Sequence, residues 1–170
     1  TLQRVTTARE AIAMFASLTT EYGYASDGES FSIGDPTEVW LMELIGKGNF
    51  EKGAVWVATK IPDGHVSAHA NQCRTTTFVA EARANPEDIL YSPDAVTFAR
   101  KYLNYTGEDD AFDFSAAYDP ISAFGARLAD GRVWSFFREV ADGMDAYLPY
   151  IQGHDLTHRM PLTVPLKAGL

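Results

Sequence analysis

Two stretches, Glu38 to Ile45 and Ala54 to Ile61, are apolar on both faces when read as β-strands. Nothing else in the chain constrains the fold as strongly. Side chains alternate across a strand, so Val39, Leu41 and Ile45 point one way and Trp40, Met42 and Leu44 the other. The second stretch repeats this with Val55 and Val57 opposed to Trp56. A strand that is apolar on both sides is buried on both sides, and that demands a layered structure.

The flanking segments supply the rest of a sheet. Glu29 to Gly34 reads as a strand, and Asp35-Pro36 as the turn after it, because proline fixes φ and aspartate bonds its own backbone. Gly46 to Gly53 is a glycine-rich turn, and Pro62-Asp63-Gly64 is a hairpin signal. A fourth strand is expected at His65 to Asn71. These short turns predict a consecutive antiparallel meander of four strands in one sheet. The fourth strand differs from its neighbours, with Val66, Ala68 and Ala70 on one face and His65, Ser67, His69 and Asn71 on the other. A polar stripe of this kind either lines a cavity or forms the wet face of an edge strand.

Helices surround this run. Thr7 and Glu10 have capping-box spacing, and Ala8, Ala11, Ile12, Phe15, Leu18 and Tyr22 recur with helical period up to a stop at Gly23. Ser92-Pro93 and Asp119-Pro120 mark two further helix starts. Asp130 is placed to cap a helix whose apolar side is Val133, Phe136, Phe137 and Val140, and Tyr147 to Leu170 shows little periodicity. Helix, four-stranded meander, then helices is an α+β order.

Composition narrows the function. The chain has 170 residues, 14 basic against 23 acidic, for a formal net charge of −9. That excess of acid argues against nucleic-acid or basic membrane-surface partners. No apolar run approaches the ~20 residues needed to span a bilayer. The single cysteine, Cys73, excludes a disulfide scaffold.

The chemistry-bearing residues are few. Cys73 lies near His69 and Asn71, but neighbours on a strand do not meet as a triad, so it reads as a small buried residue. His65 and His69 share a strand face ~13 Å apart, too far for one ion. His154 and His158 have helical metal spacing without a convincing helix. The acidic run Glu108, Asp109, Asp110 and Asp113 lacks an EF-hand pattern and reads as a solvated loop. Asn104-Tyr105-Thr106 is a glycosylation sequon that matters only in a secreted protein.

Several motifs carry a resemblance. They are Leu2-Gln3-Arg4 with Thr7-Ala8-Arg9-Glu10-Ala11, Gly28-Glu29-Ser30-Phe31, Gly34-Asp35-Pro36 through Glu38-Val39-Trp40, and Val55-Trp56-Val57-Ala58. His69-Ala70-Asn71-Gln72 with Arg74 is the most distinctive, and Tyr91-Ser92-Pro93-Asp94, Phe98-Ala99 and Arg132-Val133-Trp134 continue in order. Together they resemble the cysteine dipeptidases of the dipeptidase A type, relatives of secernin, over nearly the whole chain.

The resemblance implies a partial N-terminal-nucleophile hydrolase fold, a helix–sheet–sheet–helix sandwich, with residues 1–170 forming one internal segment of a larger domain. It implies a nucleophilic cysteine at the mature N-terminus, outside this chain, with its own α-amine as base. Thr1 is then an accident of where the piece begins. By analogy with related acylases, Asn71 is expected to donate to the oxyanion. Arg132 is expected to hold a substrate carboxylate or orient the nucleophile, and His69 and Arg74 to support Asn71 or simply pack. Dipeptides, the rest of the parent chain and further copies of it are the expected partners, with no cofactor and no metal. The isolated chain is expected to be inactive. A secernin-like regulatory or binding protein and an independent binding domain on the same sheet are the alternatives.

Overall fold

The computed structural model describes residues 2–169, so the reading of Thr1 lies outside the described residues. In chain order the helices and strands are α1 (Ala8–Tyr22), β1 (Gly28–Gly34), β2 (Val39–Gly46), β3 (Ala54–Lys60), β4 (His65–Ser67), α2 (Val79–Ala84), β5 (Ile89–Tyr91) and α3 (Ala95–Tyr102). There follow α4 (Phe114–Tyr118), α5 (Ala123–Gly125), a π-helical turn (Ala126–Asp130), α6 (Gly131–Val140), α7 (Leu148–Ile151) and β6 (Thr163–Pro165). Two compact units result: Thr1–Lys60 with Thr75–Tyr118, and Ile61–Arg74 with Asp119–Leu170. Among the described residues no helix is long and apolar enough to cross a membrane.

The first unit holds a four-stranded antiparallel sheet in the order β1-β2-β3-β5. Helix α1 starts at the expected capping box: Thr7 Oγ1 accepts from Glu10 N at 3.2 Å, and the Glu10 carboxylate accepts from Thr7 N at 3.1 Å. Gly23 ends it at φ 87°, a left-handed value that favours glycine. The turn between β1 and β2 is built on Asp35, whose carboxylate accepts from Thr37 N at 2.7 Å and Glu38 N at 3.0 Å. The same carboxylate takes Ala8 N at 2.9 Å, which ties the hairpin to the first turn of α1. The Ala8 bond and the Thr37 bonds hold the Asp35 carboxyl well below the usual carboxylate range.

Both faces of the central strands are covered, as their pattern requires. Ile33, Trp40, Met42, Leu44 and Ala58 share one face and pack against Ala8, Ala11 and Ile12 of α1. On the other face, Val55 and Val57 are buried and Tyr91 meets the Phe78 ring edge-on at 5.0 Å. Glu43 is buried on this face as well, where its carboxylate accepts from Thr75 N at 2.7 Å. Phe78 in turn leads to Phe112, Phe114 and Tyr118. The cover here is thus the Thr75–Tyr118 segment, and no second sheet lies on it among the described residues of this unit. The expected α+β class, with a four-stranded antiparallel sheet flanked by helices, is observed.

The identity of the fourth strand is a correction. It is β5, whose Ile89, Leu90 and Tyr91 pair with Thr59, Ala58 and Val57. The predicted strand His65 to Asn71 shrinks to β4 and pairs in the second unit with β6, in a stretch expected to be irregular. The physical reason is apolar content. β5 brings three large apolar side chains to the open edge of β3, whereas His65 to Asn71 has only one valine and two alanines on its apolar face. That face was read correctly, since Val66, Ala68 and Ala70 pack onto the second core of Val133, Phe137, Tyr150, Met160 and Val164.

Three helix starts differ from expectation. Ser92 is buried, and its Oγ accepts from Trp56 N at 3.1 Å, so it extends the β3–β5 ladder instead of capping. Asp119 leaves the cap of α5 to Ser122, whose Oγ accepts from Gly125 N at 3.0 Å. Asp130 makes no side-chain cap bond and points inward. Phe136, expected on the apolar side of α6, is exposed.

Candidate functional site

Asn71 and Arg132, sixty-one positions apart, meet in the second unit: Arg132 Nη2 donates to Asn71 Oδ1 at 2.8 Å. Both side chains face solvent. Arg132 also donates from Nε to Leu128 O at 2.7 Å, in the π-helical turn that leads into α6. The guanidinium is therefore oriented before it reaches Asn71. With its oxygen taken by a cation, the Asn71 carboxamide has its NH2 as the end that Arg132 does not hold. A cation on the oxygen also polarises the amide and makes its N–H groups stronger donors.

The loop that carries Asn71 is fastened from below. Asp119 Oδ2 accepts from Cys73 N at 2.8 Å and from Gln72 Nε2 at 2.9 Å, and Asp119 O accepts from the same Gln72 nitrogen at 2.8 Å. Arg159 donates to Cys73 O at 3.0 Å. Gln72 and Cys73 are buried, so the loop turns its backbone inward at Cys73 while Asn71 stays outside. A Cβ at position 125 would sit 2.3 Å from Gln72 Oε1, so any larger residue there would displace the carboxamide that Asp119 holds.

Beneath the loop lies a buried polar network, of which sequence reasoning named only Arg74, as a support of Asn71 or a packed residue. Arg74 donates to Ala68 O at 2.9 Å and Pro161 O at 2.7 Å, and its Nε stands 3.6 Å from Asp130 Oδ1. Its guanidinium also lies over the Phe137 ring. The Tyr150 hydroxyl donates to Asp130 Oδ2. Burial, with the Asp130 carboxylate beside it, pushes the Tyr150 hydroxyl up to about 12. Both Arg74 and Asp130 have side chains almost wholly removed from solvent. Asp130 closes a π-helical turn, an arrangement frequent at functional sites. The only sequence signal of Asp130 was an aspartate ahead of an apolar helix, which looks the same whether it caps or faces inward. Tyr150 and Arg159 fall in the stretch without periodicity and gave none.

The remaining candidates are dispersed. Cys73 is buried, whereas His69 is exposed, so they do not form an accessible nucleophile pair. His65 is within 3.3 Å of Asp63 O, and the His158 ring stacks on Tyr147. Asp109 and Asp110 of the acidic loop pair with Arg83, and Asp109 with Arg100. Among the described residues no group of three His, Cys, Asp or Glu side chains is placed to hold a metal ion.

Comparison with known proteins agrees with the resemblance read from the motifs. The family model for peptidase family C69 matches residues 1–168. A probable dipeptidase B of Streptococcus pyogenes serotype M1 is 31% identical over 120 residues, which are 70% of this chain and 22% of that protein. A probable dipeptidase of Latilactobacillus sakei is 35% identical over 71 residues, covering 42% of this chain and 14% of that protein. One of Salmonella dublin is 28% identical over 120 residues, covering 69% of this chain and 26% of that protein. The match thus spans about a quarter or less of each of these relatives.

Proposed function

The chain belongs to peptidase family C69, and from that premise we propose that it is part of a dipeptidase in which Asn71 stabilises the oxyanion. The nucleophile is a cysteine contributed by another segment of the intact protein, at its mature N-terminus. Cys73 is the only cysteine in this chain, and it is buried with both of its peptide groups engaged. The chain by itself is accordingly inactive on dipeptides.

In the reaction, the thiolate sulfur bonds to the scissile carbonyl carbon and the carbonyl π pair moves onto oxygen. The Asn71 NH2 donates to that oxyanion. Collapse restores the carbonyl, breaks the C–N bond and expels the amine, which takes the proton that the general base removed from the thiol. Water then adds to the thioester and releases the acid and the thiol. Fixed donors aimed at developing charge cost no reorganisation at the moment of reaction. The observation that carries the reading is the 2.8 Å bond from Arg132 to Asn71 Oδ1, which fixes and polarises the amide. In this reading Arg132 orients Asn71, beside the expected roles toward a substrate carboxylate or the nucleophile.

The test is a pair of variants in the intact protein. Asn71→Ala is expected to lower kcat by about 10²–10³, the cost of one lost oxyanion donor, with folding unaffected because the side chain is exposed. Cys73→Ala is expected to leave activity nearly intact. Loss of thioester formation in Cys73→Ala, with Asn71→Ala still active, would overturn the reading. A folded wild-type protein without dipeptidase turnover would favour the secernin-like binding role.

A further inference from the structure

We infer that Tyr150, Asp130 and Arg74 form a positioning unit that sets the Asn71–Arg132 contact, an inference that rests on the oxyanion role just proposed for Asn71. Asp130 stands two residues before Arg132, at the turn where the π-helix passes into α6. Arg74 stands three residues after Asn71, at the end of the loop that carries it. The Arg74–Asp130 pair is therefore a buried strut between the two chain segments that must bring amide and guanidinium together. Arg74 reaches across that loop to Ala68 O, so the residues from Ala68 to Arg74 are closed by one side chain. Its second donor takes Pro161 O, and Arg159 takes Cys73 O, which adds a third segment to the same clamp.

Tyr150 sets the direction of the strut. Its hydroxyl donates to Asp130 Oδ2, while Oδ1 lies 3.6 Å from Arg74 Nε as an ion pair. A carboxylate hydrogen-bonded at one oxygen and beside a buried cation at the other is restrained in rotation, and with it the turn that bears it. The unit does not touch the reacting atoms. It acts through Asn71 and Arg132, and small misplacements of a catalytic group are costly: a shift of about 1 Å can cost about 10²-fold in rate.

Tyr150→Phe in the intact protein removes one oxygen and keeps the ring. It is expected to lower kcat by about 10-fold with KM little changed, since the oxyanion contact is made only in the transition state. The deciding measurement is the same substitution in an Asn71→Ala background, where it is expected to cost nothing more. Residues that act as a unit are non-additive in this way, whereas a general loss of structure lowers both backgrounds by the same factor. Equal factors in the two backgrounds, or unchanged kcat in the single variant, would overturn the positioning role and leave the oxyanion role standing. Wild-type kcat in Asn71→Ala alone would overturn both. Should Tyr150→Phe fail to fold, Asp130→Asn, which preserves the carboxylate's shape, is read in the same two backgrounds against the same outcomes.

Discussion

The β2–β3 pair is largely buried, the Ala68–Arg74 loop is buried only from Gln72 to Arg74, and different forces hold them. The strands are buried by apolar side chains on two faces, with ladder bonds satisfying their backbone. The loop has little ladder, and its backbone carbonyls are satisfied by the guanidinium groups of Arg74 and Arg159. Apolar burial is non-directional and tolerates shifts, whereas a guanidinium between carbonyls and a carboxylate fixes position. The first region supplies stability, and the second supplies geometry at Asn71.

The largest expected effect breaks the second region. Arg74→Ala leaves the Asp130 carboxylate buried without its cation, and removing one partner of a buried pair costs about 3–5 kcal/mol. Urea titration of the intact protein, followed by circular dichroism, measures it. Leu44→Ala makes the matching cut in the sheet, where the side chain is 1% exposed. A cavity of that kind costs about 2–5 kcal/mol, and a volume-conserving Leu44→Met should restore most of it. No uncharged residue of similar size restores Arg74 in the same way, because the carbonyls of Ala68 and Pro161 would lose their donors.

The smallest effect is invisible at neutral pH. Tyr150 has its folded-state pKa raised to about 12 from an ordinary value near 10. The folded state therefore binds the proton more tightly than the unfolded state. This contribution to stability is complete below about pH 10 and is lost as pH rises through 12. Tyr118 in the first unit, also pushed up by burial, adds to the alkaline loss. Tyr150→Phe should flatten the alkaline part of the stability curve only in part, and an unchanged slope would place the titration elsewhere.

What could be read from the sequence follows the range of the interactions. The strand read at Ala54–Ile61 is observed as Ala54–Lys60, and the capping box at Thr7 is where its spacing put it. Both depend on residues within one turn or one pleat of each other. β5 escaped because three apolar residues carry no period that separates strand from helix. β4 was drawn too long and in the wrong sheet because its partner at Thr163–Pro165 lies about a hundred residues further along the chain. Asn71 and Arg132 were legible only through the family resemblance, and nothing in their spacing predicts that they touch. The Arg74–Asp130–Tyr150 network had no local signature, since an inward aspartate and a capping aspartate read alike.

The division of the chain into two units also has a consequence for synthesis. Each unit is made of two chain segments, with Ile61–Arg74 interposed between the parts of the first. During translation β1, β2 and β3 emerge together and can pair at once. The open edge of β3 must then wait until Ile89–Tyr91 has left the ribosome, after His65–Asn71 has already emerged. Val66, Ala68 and Ala70 cannot reach their own core until Val133, Phe137 and Val164 have been made. The loop bearing Asn71 is thus made well before the residues that fix it.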